Sequence, residues 1–270
     1  MSKFKDIKKV TVNQIKNMKH KEKIVSLTAY DYTSAKIVDE AGVDIILVGD
    51  SLGMVVAGYD NTLSVTLDQI ILHCQYVKKA VKRGFLVADI PFGYFQVSIE
   101  DGVKNCIRVI KETGFESVKL EGGSEIVPLV ERLVHAGVNV MGHIGLMPQM
   151  VNTMGGYKIQ GRTNQDKLME DALALEKAGA FSIVLEGVVE GVAKKITEKL
   201  SIPTIGIGAG RYCDGQILVF HDLLGLYDDL TPKFAKRYCN GREIFLSAVN
   251  EYVIETKESK FPEEKHAFLE

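Results

Sequence analysis

The stretch SVKLEGGSEIVPLVERLVHAGVNVMGHIG, residues 117–145, contains the pattern that decides the fold. Two short runs rich in apolar residues, SVKLEGG (117–123) and VNVMGHIG (138–145), lie at its ends. Between them, apolar residues recur at the spacing of one helix face: Ile126, Leu129, Val130 and Leu133. Nearly continuous apolar runs are typical of parallel strands that crossover helices cover on both faces. The stretch therefore predicts a strand, a helix and a second, parallel strand.

Six further runs of the same kind occur along the chain, with helix-like segments between most of them. They are IVSLTAYD (24–31), DIILVGDS (44–51), FLVADIPF (85–92), FSIVLEG (181–187), TIGIGAG (204–210) and QILVFHD (216–222). Eight strands alternating with helices predict an α/β fold, the closed (β/α)8 TIM barrel. The length suits one barrel, so residues 1–270 are predicted to form a single domain.

Two kinds of local signal support this barrel. Thr11 before Val12 and Ile15 predicts a short N-capped helix that covers the bottom of the barrel. Glycines near the predicted helix ends are expected to form left-handed caps. They are Gly42, Gly84, Gly114, Gly137 and Gly179.

The composition excludes several classes of protein. A formal net charge of −2 and a pI near 6.3 give no overall attraction to nucleic acid or to an anionic membrane. No run approaches the roughly 20 apolar residues that span a bilayer, and the start lacks the apolar segment of a secretory signal. The four cysteines form no CxxC pair, as expected of reduced thiols. We expect a cytoplasmic protein that acts on small molecules.

Three carboxylates follow apolar strands and are candidates for a metal site. Asp50 occurs in VGDS, Asp89 in VADIPFG and Glu121 in VKLEGG. The carboxyl ends of barrel strands converge on one face, and two carboxylates about 4 Å apart would repel by about 4 kcal/mol. A hard cation such as Mg²⁺ would offset this repulsion, whereas no Cys and His cluster suits zinc. The alternative is that each acid caps a helix or pairs with a nearby cation.

Lys119, His143, Glu186 and Ser51 complete the candidate site. Lys119 shares a strand face with Glu121, so it is either a counter-ion, a donor to an anionic substrate or, less favoured, a Schiff-base lysine. His143 is either a core histidine or a ligand contact.

Glu186 ends an apolar strand, which suits a general base, although an ion pair with Lys158 or Arg162 is an alternative. Ser51 is either a substrate donor or only a helix cap. The long connections 52–66 and 146–164 are expected to be binding loops.

Ordered sequence blocks add a resemblance to a known family. The blocks are VGDSLGMVVAGYDNTLSVT, DIPFG, KLEGG, MGHIGLMPQ, YKIQGR and GIGAGRYCDGQILVFHDLLG. In this order they resemble the ketopantoate hydroxymethyltransferase family over nearly the whole chain. One block departs from the family: LEGVVE stands where members commonly have LECVP, so Gly187 and Val189 occupy the Cys and Pro positions. We expect a looser loop behind Glu186.

The resemblance implies a magnesium-dependent barrel enzyme of pantothenate biosynthesis. Such enzymes move a one-carbon unit from 5,10-methylenetetrahydrofolate to 3-methyl-2-oxobutanoate, giving 2-dehydropantoate, and are typically homodecamers. It implies metal binding by Asp50 and Asp89, with Glu121 binding directly or through water. It implies that these two aspartates, Ser51, Lys119 and His143 line the substrate pocket and that Glu186 is the base.

The chemistry of the substrate suggests a mechanism. Its ketone and carboxylate oxygens can chelate Mg²⁺, which would stabilise the enolate that forms when the neighbouring carbon loses a proton. Two alternatives stay open. One is a related magnesium-dependent lyase or mutase barrel of the isocitrate lyase and phosphoenolpyruvate mutase type. The other is an inactive barrel that serves as a binding module.

Overall fold

The computed structural model describes residues 8–228 and 232–268. Its centre is a closed barrel of eight parallel strands in sequence order, in which β8 pairs with β1. The strands are β1 (Ile24–Thr28), β2 (Ile45–Val48), β3 (Phe85–Asp89), β4 (Ser117–Glu121), β5 (Asn139–Gly145), β6 (Ser182–Glu186), β7 (Thr204–Ile207) and β8 (Gly215–Leu218). The predicted (β/α)8 barrel is confirmed.

Helices follow the first six strands. The helices before residue 220 are α1 (Val12–Met18), α2 (Tyr32–Glu40), α3 (Leu52–Val55), α4 (Leu67–Ala80), α5 (Ile99–Thr113), α6 (Val127–His135), α7 (Val151–Met154), α8 (Gln165–Lys177) and α9 (Glu190–Lys199). Two 3-10 turns occupy Ser124–Ile126 and Pro148–Met150. The connection 208–214 between β7 and β8 contains no helix.

The chain divides into two compact units, residues 1–219 and residues 220–270. The first contains the barrel. The second contains α10 (Phe220–Leu224), α11 (Gly241–Lys257) and a 3-10 turn at Glu264–His266. Across the two described ranges, every helix is too short or too polar to traverse a lipid bilayer.

The N-terminal helix covers the bottom of the barrel, as the sequence predicts. Thr11 caps α1 in a reciprocal arrangement with Gln14, whose side chain accepts a hydrogen bond from the Thr11 amide at 2.9 Å. Ile15 has no exposed surface. It packs in one apolar cluster with buried residues in or directly before the strands, which include Ile24, Ile45, Phe85, Phe181, Ile205 and Ile217.

A buried ion pair fixes the end of α1 to the barrel. Lys19 Nζ lies 2.8 Å from Asp214 Oδ2 and donates a second hydrogen bond to the Thr197 carbonyl at 2.9 Å. The Thr204 amide also donates to Asp214 Oδ2, at 2.9 Å. The helix is therefore held to the segments that precede β7 and β8.

Four of the five predicted glycine caps have the positive φ of the left-handed region. They are Gly42, Gly114, Gly137 and Gly179. The expectation for Gly84 is wrong, since its φ is not positive. A Cβ on Gly84 would lie 2.7 Å from Ile46 Cδ1. The Gly84 amide donates a hydrogen bond to Asp39 Oδ1 at 2.7 Å. Glycine suits position 84 because its backbone lies close to the buried side chain of Ile46 in β2.

Substituting Lys19→Met should destabilise the barrel, because Asp214 is only 5% exposed and would lose its ammonium partner. Removing one side of a buried ion pair costs about 3–5 kcal/mol. We expect the melting temperature in scanning fluorimetry to fall by several degrees. The exposed Lys21→Met is the control and should melt like the wild type. Equal melting of the two variants would contradict the role given to Lys19.

Candidate active site

The barrel brings the predicted ionisable residues to one mouth. Asp89 ends β3, and the register pairs it with Lys119 of β4. Glu121, the last residue of β4, is paired with His143 of β5. Glu186 ends β6 and is paired with Gly145 of β5. Neighbouring parallel strands thus carry these side chains at similar heights at their carboxyl ends.

Lys119 is the cation at the centre of this cluster. Its Nζ lies 2.8 Å from Asp89 Oδ1 and 3.6 Å from Glu121 Oε1. Burial acts to lower the pKa of Lys119, but Asp89, Glu121 and Asp50 outweigh this and raise the pKa above its usual value. The side chain is therefore a charged ammonium. This supports the counter-ion interpretation and opposes a Schiff-base role, which needs a neutral amine.

Asp50 and Asp89 are adjacent and buried. The Asp50 amide donates to Asp89 Oδ2 at 3.0 Å. Burial is the main reason why the pKa of each carboxyl is raised. For Asp50 the charges of Asp89 and Glu121 add to this effect. For Asp89, Lys119 opposes the rise and Glu121 adds to it. A cation bound beside the two aspartates would therefore favour their ionised forms.

Glu121 differs from the two aspartates. Burial acts to raise its pKa, but Lys119 and His143 outweigh this and hold the pKa below its usual value. Its Oε1 lies 3.3 Å from His143 Nδ1, and its Oε2 accepts a hydrogen bond from the Gln149 amide at 3.0 Å. Glu121 is therefore ionised at neutral pH.

His143 bridges two carboxylates. Its Nδ1 lies 3.3 Å from Glu121 Oε1, and its Nε2 lies 3.3 Å from Glu186 Oε2. Burial and Lys119, whose Nζ is 3.2 Å from Nδ1, act to lower the pKa of His143. The two glutamates outweigh them and raise it to about 9. With its pKa raised to about 9, His143 is positively charged at neutral pH, and its contacts with the two glutamates are ion pairs without well-aligned hydrogen bonds.

The structure distinguishes two further alternatives for these residues. The ion-pair partner that it gives Glu186 is His143 rather than Lys158 or Arg162. Ser51 precedes α3, but its side chain makes no capping hydrogen bond. Instead Ser51 Oγ lies 2.8 Å from the Tyr30 hydroxyl. The Ser51 hydroxyl is therefore oriented by a residue that follows β1 and does not cap the helix.

Hard oxygen donors in this mouth fit an open magnesium site. Asp89 Oδ1 and Glu121 Oε1 are buried without a well-aligned hydrogen bond, although both lie near Lys119. Within the described ranges, no three acidic, histidine or cysteine side chains already form a closed metal cage. Mg²⁺ commonly takes one or two carboxylates and keeps several waters or substrate oxygens, so it does not need such a cage.

The sequence interpretation missed two residues of this mouth, Gln149 and Tyr30. Gln149 Nε2 donates to Asp50 Oδ2 at 3.1 Å, and Tyr30 contacts Ser51. Neither residue is charged at neutral pH, so a search for ionisable strand ends passes over both. The signal available for Gln149 was its place in the long connection after β5.

Comparison with known proteins gives matches along nearly the whole chain. A family model described as ketopantoate hydroxymethyltransferase matches residues 9–264. The 3-methyl-2-oxobutanoate hydroxymethyltransferase of Clostridioides difficile (strain 630) is 53% identical over 263 residues, which cover 96% of each chain. The protein of that name from Pyrococcus furiosus is 54% identical over 262 residues, 96% of this chain and 92% of the relative.

Solved structures share the barrel at much lower identity. Phosphonopyruvate hydrolase in complex with oxalate and Mg²⁺ superposes with a TM-score of 0.62 at 13% identity, covering 96% of this chain and 92% of that chain. A 2,3-dimethylmalate lyase, a PEP mutase/isocitrate lyase superfamily member, gives 0.61 at 15% identity over 93% and 87%. These similarities show the fold alone, so they do not favour the lyase or mutase alternative.

The charge of His143 predicts a pH dependence of stability in metal-free protein. A folded-state pKa raised from 6.5 to about 9 gives stabilisation that is complete below pH 6.5 and lost as the pH rises through 9. In EDTA, we expect the melting temperature of the wild type to fall more between pH 6.5 and pH 9 than that of His143→Gln. The exposed His135→Gln is the control and should follow the wild type. Parallel curves for wild type and His143→Gln would contradict the assignment.

Proposed function

Because the chain belongs to the ketopantoate hydroxymethyltransferase family, we propose that it transfers a hydroxymethyl group to 3-methyl-2-oxobutanoate and forms 2-dehydropantoate for pantothenate biosynthesis. The one-carbon donor in this proposal is 5,10-methylenetetrahydrofolate. The observation that carries the proposal is 53% identity to such enzymes over nearly the whole chain. The cluster of buried acids around Lys119 supports it, because a bound cation and a general base together promote enolisation of a 2-oxo acid.

We propose that Asp50 and Asp89 hold Mg²⁺ and that Glu121 binds it directly or through water. Both aspartates have a raised pKa in the metal-free protein, and a divalent cation would offset the repulsion that contributes to it. When bound, Mg²⁺ would polarise the ketone of the 2-oxo acid and stabilise negative charge on its oxygen. Asp50 and Asp89 would also line the substrate pocket through this site.

Lys119, Ser51 and His143 would orient the 2-oxo acid. The Lys119 ammonium is a donor beside the aspartates, and its raised pKa keeps it charged. The Ser51 hydroxyl and amide would donate to the substrate carboxylate, with the hydroxyl oriented by Tyr30 at 2.8 Å. His143 lies between Lys119 and Glu186, so it would contact substrate next to the proposed base. Charged donors of this kind give strong, directional hydrogen bonds to a carboxylate.

Glu186 is the residue that we propose as the general base. Its Oε2 lies 3.3 Å from His143 Nε2, and the side chain is partly exposed at the mouth, with 17% of its surface accessible. Glu186 would take the proton from carbon 3 of the substrate, and the charged His143 would stabilise the carboxylate before transfer. The enolate would form a bond to the methylene carbon of the folate, water would supply the hydroxyl oxygen on that carbon, and both bonds from the carbon to the folate nitrogens would break so that tetrahydrofolate leaves. The proton taken by Glu186 and the second proton of the water would end on those two nitrogens. Gly187, which follows Glu186 in LEGVVE, has a φ of +55°, a conformation that glycine adopts without steric strain.

Location and assembly follow the same proposal. All four cysteines are free thiols, which supports a reducing cytoplasm. A homodecamer is proposed from the family resemblance, and the exposed apolar side chains of α11, a feature typical of protein interfaces, support self-association. They are Ile244, Phe245, Leu246, Val249, Tyr252, Val253 and Ile254. We also propose that residues 1–270 act as one functional domain with small-molecule substrates.

The proposed activity can be tested directly with purified protein. We expect 2-dehydropantoate from 3-methyl-2-oxobutanoate and 5,10-methylenetetrahydrofolate, with activity lost in EDTA and restored by Mg²⁺. The alternative of an inactive binding barrel predicts no product under any of these conditions. Product formation at full rate in EDTA would remove the metal from the proposal.

A Glu186→Gln variant should lose turnover and keep substrate binding. General-base catalysis contributes about 10²–10⁴ in rate, so we expect kcat to fall by that factor with little change in KM. Without folate, exchange of the carbon 3 proton in D₂O, followed by NMR, should slow equally. The exposed Glu190→Gln is the control. A variant that exchanges the proton at the wild-type rate would show that another residue is the base.

An Asp89→Asn variant should need more magnesium. It removes one of the proposed ligand charges while keeping the size of the side chain, so calorimetry should show weaker Mg²⁺ binding and activity should return only at excess metal. The matched control is Asp44→Asn, whose carboxylate pairs with Arg83 at 2.8 Å at the start of β2. An unchanged magnesium requirement in Asp89→Asn would argue that this residue is not a ligand.

A further inference from the structure

We infer that Gln149 is a positioning residue that fixes the Asp50 and Glu121 carboxylates and couples them to the connection 146–164. Gln149 lies on the 3-10 turn just after β5 and is 3% exposed. Its catalytic consequence rests on the proposed function. Its positioning role rests on hydrogen bonds of the metal-free protein and can be measured without turnover.

The buried amide of Gln149 has partners on both sides. Its Nε2 donates to Asp50 Oδ2 at 3.1 Å and to the Ile90 carbonyl at 3.0 Å, while its Oε1 accepts from Gln96 Nε2 at 3.2 Å. A buried side chain that uses both amide protons and its oxygen has little freedom to move. Gln149 is therefore a fixed part of the mouth.

The orientation of this amide follows from the carbonyl that it faces. Ile90 is held in place because its amide donates to the Lys119 carbonyl at 3.1 Å. If the Gln149 amide were turned over, its oxygen would face the Ile90 carbonyl and the Asp50 carboxylate, which are both acceptors. The donor side must therefore point to Asp50. This bond fixes one oxygen of the Asp50 carboxylate and leaves the other to a ligand.

Two different groups of Gln149 reach two different acids. The side chain binds Asp50, and the backbone amide donates to Glu121 Oε2 at 3.0 Å. The side-chain bond can therefore be removed by substitution while the backbone bond to Glu121 remains. A neutral amide also suits this position, because a cationic side chain would compete with a metal ion and a carboxylate would repel both acids.

Gln149 lies near the start of the connection 146–164, which continues to residues beside the proposed base. Further along, the Gln160 amide donates to the Gly187 carbonyl at 2.8 Å, and the Val189 amide donates to the Gln160 carbonyl at 3.0 Å. These bonds lie directly after Glu186. One connection is thus anchored at Gln149 to the proposed metal ligands and at Gln160 beside the proposed base. Order at the acids is therefore coupled to order in residues 146–164.

The test uses Mn²⁺ as a probe of the carboxylate site and Gln149→Met as the main variant. Methionine has a similar length but makes no hydrogen bond to Asp50 or to Ile90. Residues that orient metal ligands typically contribute about 10- to 100-fold in affinity, so we expect the Mn²⁺ dissociation constant, from EPR titration, to rise by that factor. The EPR line shape of bound Mn²⁺ should also change. Gln75→Met is the matched control, since that amide makes one exposed bond to the Glu112 carbonyl.

Hydrogen exchange gives a second measurement that needs no metal. In EDTA, amides of residues 146–153 should exchange faster in Gln149→Met than in wild type or Gln75→Met. Adding Mn²⁺ should slow this exchange in wild type and have a smaller effect in the variant. The milder Gln149→Asn keeps an amide that is too short to reach both partners, and it should fall between the two. It replaces Gln149→Met if circular dichroism shows that the latter is unfolded.

The outcomes separate this inference from the proposed function. A folded Gln149 variant with wild-type Mn²⁺ affinity would overturn the positioning role, and unchanged exchange in residues 146–153 would overturn the coupling. If wild type itself binds no Mn²⁺, the metal in the proposed function fails. In that case the exchange comparison in EDTA still decides whether Gln149 anchors the connection.

Discussion

The ammonium of Lys119, buried among carboxylates, is the charge on which the arrangement of the barrel mouth depends. Two carboxylates about 4 Å apart repel by about 4 kcal/mol at an effective dielectric of 20, and burial adds the cost of removing each charge from water. Lys119 Nζ at 2.8 Å from Asp89 and 3.6 Å from Glu121 offsets part of both costs. Burial first, and then the charges of Asp89 and Glu121, still raise the pKa of Asp50 despite Lys119. A further positive charge would stabilise the ionised carboxylates, so the mouth is suitable for a cation.

Four neighbouring strands carry the ionisable residues of the mouth. β3 and β4 carry Asp89, Lys119 and Glu121, while β5 and β6 carry His143 and Glu186. His143 lies between the two glutamates, 3.3 Å from each. The residues proposed to bind metal and substrate oxygens and the proposed base are therefore adjacent but chemically distinct. That separation suits enolisation, in which charge is stabilised at the oxygen while a proton leaves the neighbouring carbon.

Rigid strands alone do not explain the order of this site. Uncharged side chains from outside the predicted cluster hold its members: Tyr30 contacts Ser51 at 2.8 Å, and Gln149 donates to Asp50 at 3.1 Å. Such residues restrict rotation of the groups that contact a ligand, and small errors in that geometry are costly to catalysis. The connection that contains Gln149 also hydrogen-bonds to Gly187, so one segment contacts both the Asp50 carboxylate and the residue after Glu186.

The sequence by itself determined the eight strands, the helices between most of them, the N-terminal helix after Thr11 and the ionisable residues at the strand ends. These follow from local periodicity and from the rule that parallel strands end on one face. Only the tertiary structure decided that His143 bridges two glutamates, that Gly84 serves a close approach to Ile46 and that Gln149 reaches Asp50. The physical reason is range: periodicity records which face of its own element a residue occupies, whereas these contacts join residues far apart in the chain through strand register and loop path.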